Sequence, residues 1–274
     1  MSVILLLNIV GYLFNRIQNF KMKLRHIFPL LILVFIVKVK SNAQEVAGHA
    51  HYAVLRSTDS INNGPEGLWM LNAYPFVPKV AAMMRFKLEF TTTNAMFNRV
   101  KTRELEKVSN EDIKTTETLV GYRDTSWHDA SYFYSFDRDI RKGMDKKGLI
   151  LKTRNNFDWK ISDETKKIGE FTCYKAKGDK VISYREGGEY KIRKTPVIAW
   201  FCPEIPVPFG PVFSRDLPGL IFEFQYDGIV YGLTDINLTG KADIAPLPNK
   251  EILTKEQWRE RLYKLAKELN VPYQ

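Results

Sequence analysis

The sequence predicts a mainly β protein built on a single curved antiparallel sheet, half-barrel or sandwich-like, with a C-terminal α-helix packed against it. Residues 83–90 alternate between apolar and charged side chains, which is the pattern of a half-buried strand. Asp227-Gly228 is the favoured two-residue hairpin turn, and alternating aromatic residues flank it. Near the carboxyl end, residues 254–257 read Thr-Lys-Glu-Gln, a capping box, and apolar residues at helical spacing follow: Trp258, Leu262, Leu265 and Leu269.

The first 43 residues have the composition of an export leader. They carry six basic residues and no acidic residue, and so account for +6 of the formal net charge of +10. The uncharged run at 27–37 has the length of a signal peptide and is too short to span a bilayer. Small residues before Gln44 predict cleavage after Ala43. We therefore expect residues 44–274 to form one β-rich domain that is periplasmic or secreted and has no membrane span.

A second apolar run, residues 2–14, precedes this signal and has two interpretations. Either translation starts at Met22, or the leader is bipartite with a long amino-terminal region. No cysteine lies near residue 43, so a lipid-modified cysteine is not expected there. The net charge of the remaining chain is only mildly positive, which gives no case for binding nucleic acid.

The Asp227-Gly228 turn fixes the register of the strands on either side of it. Three cross-strand pairs follow on one face of the hairpin: Tyr226 with Ile229, Phe224 with Tyr231, and Phe222 with Leu233. Aromatic pairs of this kind stabilise a sheet by roughly 0.2–1 kcal/mol each.

The chain has two cysteines, Cys173 and Cys202. A two-residue turn at Gly187-Gly188 would place them opposite each other on paired strands. In an exported protein this favours a cross-strand disulfide, and the alternative is two buried thiols. A catalytic redox role is less favoured, because there is no C-x-x-C motif.

Residues 204–221 form the most unusual stretch, since four of these eighteen residues are proline. The prolines exclude a helix and a continuously paired central strand. We expect this stretch to run extended, to turn near Gly210, to turn again at Pro218-Gly219 with a positive φ at Gly219, and to enter a strand at Leu220. Its apolar side chains are expected to pack as a plug over the sheet: Phe209, Phe213, Leu217, Leu220 and Ile221.

This stretch resembles the signature of the GLPGLI family, a set of exported bacterial proteins named after that hexapeptide. Residues 159–161, 168–176 and 199–201 resemble the other landmarks of the family. Asp216 stands where the first glycine of the hexapeptide usually lies, and the segment from Cys173 to Trp200 is longer than usual. The motif positions to which we assign a structural role are Pro206, Gly210, Pro211, Leu217, Pro218, Gly219, Leu220, Ile221, Trp159, Gly169, Cys173, Lys175, Ala176 and Trp200. The resemblance implies an exported β-rich domain; the family has no established activity, and no cofactor is implied.

Residues suited to catalysis are sparse. His49 and His51 would share one face of a strand, and with His128 and either Asp124 or Asp129 they are the only candidates for a metal site. Their spacing matches no established zinc pattern, so a polar strand edge is the favoured interpretation. The sequence contains no nucleophile elbow, zinc-protease, phosphate-loop or dinucleotide motif, and we assign no catalytic residue.

Three functions remain open at this point. The first is a non-enzymatic protein that binds an apolar ligand, such as an acyl chain, or another envelope protein through an aromatic-rich sheet. The second is a metal-dependent hydrolase that uses His49, His51, His128 and nearby aspartates. The third is a structural envelope protein without a small ligand. Clustering of the histidines in one pocket would favour the enzyme, whereas their dispersal beside an aromatic-lined groove would favour binding.

Overall fold

The computed structural model describes residues 46–57, 65–137, 148–154, 157–186 and 189–268. Several predictions therefore lie outside the described residues: the leader at 1–43, the turn at Gly187-Gly188, and Leu269.

Twelve strands are found in the described part of the chain, and all of them belong to one sheet. In chain order they are β1 (Gly48–Arg56), β2 (Arg85–Phe90), β3 (Ala95–Val100), β4 (Ser126–His128), β5 (Phe133–Asp137), β6 (Leu149–Thr153), β7 (Lys160–Ile168), β8 (Phe171–Glu186), β9 (Glu189–Cys202), β10 (Leu220–Tyr226), β11 (Ile229–Asn237) and β12 (Ile252–Thr254). The helices are α1 (Pro65–Ala73), α2 (Val77–Met83), α3 (Asn110–Leu119) and α4 (Lys255–Glu268), with a 3₁₀ turn at Glu104–Lys107.

The strand order across the sheet is β12-β6-β5-β4-β3-β2-β1-β11-β10-β9-β8-β7. Neighbouring strands are antiparallel except β12 and β6, which pair in parallel. The mainly β fold, the single sheet and the C-terminal helix are thus confirmed, and the sheet is mixed at one edge. The parallel pair arises because residues 238–251 cross from β11 to the far edge of the sheet before β12 begins.

Both hairpin registers predicted from turn chemistry are confirmed. Asp227 and Gly228 have φ values of 48° and 70°, as a type I′ turn requires, and Tyr226 pairs with Ile229 and Phe224 with Tyr231. The pairing with β11 stops at Glu223, so the third predicted pair does not form; β10 also shifts register against β9 between residues 221 and 223. In the β8–β9 hairpin, pairing runs without a shift from Tyr174–Phe201 to Glu186–Glu189.

One side of the sheet, here called the inner face, carries the main core. Tyr52, Phe86 and Phe224 lie on this side and are fully buried. The same core cluster includes side chains from α2, from α3 and from residues 205–219, here called the plug. The opposite side is the outer face. The side chains of β1 alternate between the two faces, because successive residues of a strand point in opposite directions.

Contacts across the inner face show that the sheet is curved. Trp159, next to the first residue of β7, donates from Nε1 to the carbonyl oxygen of Arg215 (2.8 Å). The Arg215 guanidinium in turn donates to the carbonyl oxygen of Asp129, directly after β4 (3.0 Å). Strands β4 and β7 are eight interstrand steps apart in the sheet, or roughly 38 Å if the sheet were flat. One residue bridges them, so the sheet must curl around the plug.

A smaller core covers part of the outer face. It contains Met96, Trp127, Tyr134 and Ile150, with Ile244 and Leu247 packed against it. The Trp127 indole donates to the carbonyl oxygen of Ala245 (2.8 Å), which holds the crossing segment 238–251 in place. This half of the sheet is therefore packed on both faces.

Helix α4 begins as predicted. Thr254 N donates to Gln257 Oε1 (2.8 Å) and Gln257 N to Thr254 Oγ1 (3.2 Å), which is a reciprocal capping box. Its apolar stripe is half-buried, and the helix packs against β12 and β6 at the edge of the sheet. Helices α1 to α3 were not predicted. The signal for α3 was present, since Ser109 Oγ accepts from Asp112 N (3.0 Å) as an N-cap.

Candidate functional site

The plug fills the inside of the curved sheet. Phe209, Leu217, Leu220 and Ile221 are almost fully buried, and Phe213 is half-buried. The chain folds back on itself at Gly210, whose N–H donates a hydrogen bond to the carbonyl oxygen of Ser214 (3.0 Å). Strand β10 then begins at Leu220. Pro206 and Pro218 are exposed, whereas Pro211 is buried. The apolar side chains of this stretch are thus packed in the core, and two of its prolines are exposed.

The backbone conformation at Gly219 differs from the prediction. Gly219 does not have a positive φ, so the predicted type II turn is wrong; its N–H instead donates to the carbonyl oxygen of Leu217 (2.8 Å) in a tighter turn. Glycine is needed here because a Cβ would lie 2.2 Å from the carbonyl oxygen of Cys202. The positive φ values of the plug lie at Val212 (50°) and Asp216 (68°). Glycine adopts this left-handed conformation at a lower steric cost than aspartate does.

The buried side chain of His128 anchors the plug to β4. His128 lies 3.0 Å from the carbonyl oxygen of Val212 through Nε2, so Nε2 carries the proton and Nδ1 faces a buried site without a hydrogen-bond partner. Burial, together with the charge of Arg215, lowers the pKa of His128 to about 3. His128 is therefore neutral, and it connects the plug to the sheet.

The remaining landmarks of the resemblance lie on β7, β8 and β9. Gly169 has a φ of 60° in the two-residue turn between β7 and β8, and Ala176 is buried. Trp200 lies on the outer face beneath Lys166, whose ammonium is 4.4 Å from the ring centroid. The Lys175 ammonium lies 5.4 Å from the same ring and donates to Glu164 (2.7 Å). Both lysines thus form cation–π contacts with Trp200 on the outer face of the sheet.

Cys173 and Cys202 are buried free thiols in the structure. They lie at the base of the β8–β9 hairpin, one step beyond the Tyr174–Phe201 pair, as the predicted register requires. Burial and the neighbouring Cys202 raise the pKa of Cys173 to about 12, so it is a poor nucleophile. The disulfide remains a prediction for the oxidising compartment of an exported protein.

The three candidate metal-binding histidines are not brought together. His49 and His51 share the outer face of β1, with ring centroids 5.4 Å apart. His128 points to the inner face, three strands away. Among the described residues, no group of three or more histidine, cysteine, aspartate or glutamate side chains could hold a metal ion. No arrangement for metal-dependent hydrolysis is found in this part of the chain.

A cavity of about 410 Å³ opens beside the plug on the inner face. Its walls come from distant parts of the chain, including β4 to β6, the loop after α3, the plug, and the β10–β11 turn. The apolar part of the lining consists of Met70, Leu119, Phe133, Leu151, Val212, Phe213, Tyr226 and Ile229. Hydroxyl groups are supplied by Thr118, Tyr122, Ser126, Ser135 and Thr153. This size and this mixture of apolar walls with a few polar groups are typical of small-molecule sites.

Lys180 is the most unusual side chain of the cavity. Its Nζ lies 4.1 Å from the ring centroid of Phe213 and 5.2 Å from that of Tyr226. Burial and the positive charges of Lys255, Arg123 and Arg193 lower the pKa of Lys180 to about 8, while Asp227 acts in the opposite direction. Lys180 is thus a cation held over aromatic rings at the wall of a half-open site.

The sequence reasoning did not identify Lys180 or the cavity. One signal was available: Lys180 follows Ala176 and Gly178 at alternate positions of β8, so it takes the inner face of the sheet. A lysine on the buried side of a strand is uncommon and deserves inspection. The other walls, such as Tyr122 and Ser135, come together only through the curvature of the sheet.

The fold and the site define a mainly β protein with an internal, aromatic-lined cavity. A family model described as "Protein of unknown function (Porph_ging)" matches residues 159–223, and this is the family to which the name GLPGLI refers. No curated protein matches the chain. No helix among the described residues is long and apolar enough to cross a membrane.

Two solved structures are similar to the chain, "Structure of PNGF-II in C2 space group" and "Structure of PNGF-II in P21 space group". The TM-scores are 0.41 and 0.42, at 14% and 12% sequence identity. Each match covers 80% of this chain, and the chain spans 33% of the length of each solved chain. Similarity at this level carries neither fold nor function over to this chain.

Proposed function

We propose that the protein is an exported, non-enzymatic binding protein of the cell envelope, and that it holds a small apolar or amphipathic ligand in the cavity beside the plug. The cavity supports this proposal most directly. It is about 410 Å³ in volume, and Phe133, Phe213 and Tyr226 line it. Aromatic side chains offer large apolar contact areas to a ligand.

The placement of the titratable groups agrees with binding rather than catalysis. His128 is buried and neutral, and it is occupied by the plug, while His49 and His51 lie on the outer face. This dispersal gives no support to a metal-dependent hydrolase. Export is proposed on the leader-like composition of residues 1–43.

The proposal predicts that the protein retains a small molecule when it is purified from its own envelope. Ser135 lines the cavity from β5, and Ser135→Trp would fill part of the space with an indole. We expect native mass spectrometry to detect a non-covalent small molecule on the wild type and to find it largely lost in this variant. The mass of the mature chain is expected to correspond to a start at Gln44.

Leu55→Trp provides the matched control. Leu55 is 58% exposed on the outer face of β1, so the same indole there leaves the cavity unchanged and the ligand bound. A wild-type protein that carries no small molecule would contradict the proposal, as would equal retention by both tryptophan variants.

A further inference from the structure

The cavity combines aromatic walls with an excess of positive charge. Lys180, Lys255 and Arg123 line it, against two acidic residues, Asp124 and Asp227. Lys180 packs on the faces of two aromatic rings, and in the described residues it forms no ion pair or side-chain hydrogen bond. Its ammonium group is therefore free to bind a negatively charged group.

The two acidic residues offset only part of this charge, since three cations line the cavity against two carboxylates. Asp227 lies close to Arg56, whose guanidinium donates to the carbonyl oxygen of Asp227 (2.6 Å). Asp124 Oδ1 accepts a hydrogen bond from Thr125 N (2.7 Å). The three cations repel one another across the cavity, and a bound anion would relieve that repulsion.

We propose that the ligand is an organic anion with an apolar or aromatic body. Its charged group binds Lys180, with Lys255 and Arg123 close by, and its body lies against Phe213 and Tyr226. This inference rests on the proposed function and adds to it the charge and orientation of the ligand. A charge-assisted hydrogen bond to a partly desolvated ammonium is among the stronger polar contacts, and it selects an anion over a neutral analogue.

The same geometry gives the binding a pH dependence. Lys180 is faced by Lys255 from α4, by Arg123 and Asp124 from the loop after α3, by Asp227 from the β10–β11 turn, and by Arg193 from β9. Because its pKa is lowered to about 8, Lys180 loses its proton as the pH rises from 7 to 9.5. The affinity for an anion falls over that interval, and the affinity for a neutral ligand stays constant.

The test compares two fluorescent probes that share the same ring system. 1-Anilinonaphthalene-8-sulfonate carries a sulfonate that stays ionised across this pH range, whereas N-phenyl-1-naphthylamine has no charge. At pH 7 we expect the sulfonate probe to bind about tenfold more tightly than the neutral probe. Lys180→Met, which keeps an unbranched side chain one atom shorter and removes the charge, is expected to remove that advantage and its pH dependence without weakening the binding of the neutral probe.

Lys177→Met is the matched control, because Lys177 lies on the exposed outer face of the same strand. This variant is expected to bind both probes as the wild type does. Equal binding of the two probes by the wild type, or an unchanged sulfonate affinity in Lys180→Met, would overturn the anion inference and leave the proposed function standing. If neither probe binds, or if Phe213→Ala leaves both affinities unchanged, the proposed cavity function itself fails.

Discussion

Phe224→Asp is expected to lower the free energy of unfolding by about 5 kcal/mol, enough to leave much of the protein unfolded at 37 °C. Phe224 is fully buried on β10, and its ring lies 5.4 Å from that of Phe213 and 5.2 Å from that of Tyr226. The substitution removes these contacts and places a carboxylate in the core without a partner. Urea unfolding followed by tryptophan fluorescence would measure the loss.

Val230→Asp is the control for this substitution. Val230 lies on the adjacent strand β11 and points to the outer face, where it is only half-buried. A carboxylate there can reach water, and we expect a loss of about 1 kcal/mol or less. Equal stabilities of Phe224→Asp and Val230→Asp would mean that the inner face is not the core.

Gly219→Ala is expected to destabilise the protein by about 3 kcal/mol. The added Cβ would lie 2.2 Å from the carbonyl oxygen and 2.5 Å from the carbonyl carbon of Cys202. Both are backbone atoms at the end of β9, so no side chain can rotate away to make room. The plug and β9 would have to separate, and thermal unfolding would detect this as a lower Tm.

Gly232→Ala distinguishes this contact from a general effect of replacing glycine. Apart from the glycine and its two chain neighbours, no heavy atom lies within 4 Å of the position that a Cβ would take at Gly232, and its φ is not positive. Alanine there restricts the unfolded chain, so we expect unchanged or slightly raised stability. A Gly219→Ala protein as stable as Gly232→Ala would contradict the close approach of the plug to β9.

Local patterns were sufficient to predict the hairpins and the last helix. The Asp227-Gly228 turn and the Thr254–Gln257 capping box act over a few residues, and their signals are nearly independent of the rest of the chain. The assumption of a two-residue turn at Gly187-Gly188 likewise predicted the observed register of β8 with β9. Gly219 was misassigned because its backbone contact involves Cys202, which lies in another element.

The cavity depends on contacts that no local pattern records. Lys180 and Ser135 are distant in sequence, and they line the same space only because the sheet curls around the plug. Arg215 joins Trp159 to Asp129 across the inner face, and it does so from within a stretch whose dense prolines indicated only an extended chain with turns. Curvature of this kind follows from the tertiary packing of the whole sheet.

The curvature of the sheet is the central claim, because the cavity exists only if the two halves of the sheet approach each other around the plug. It is tested most directly by the distance between nitroxide labels at Ser131→Cys, beside β4, and Lys160→Cys, the first residue of β7. Both sites are exposed, and the labels would be placed in a chain that carries Cys173→Ala and Cys202→Ala.

Each labelled residue is within two positions of a residue that contacts Arg215. We expect pulsed electron–electron double resonance to give a distance of about 20–25 Å between the two nitroxides. A separation near 40 Å, close to eight interstrand steps of about 4.8 Å, would show a flat sheet and contradict the fold, the cavity and the function proposed for it.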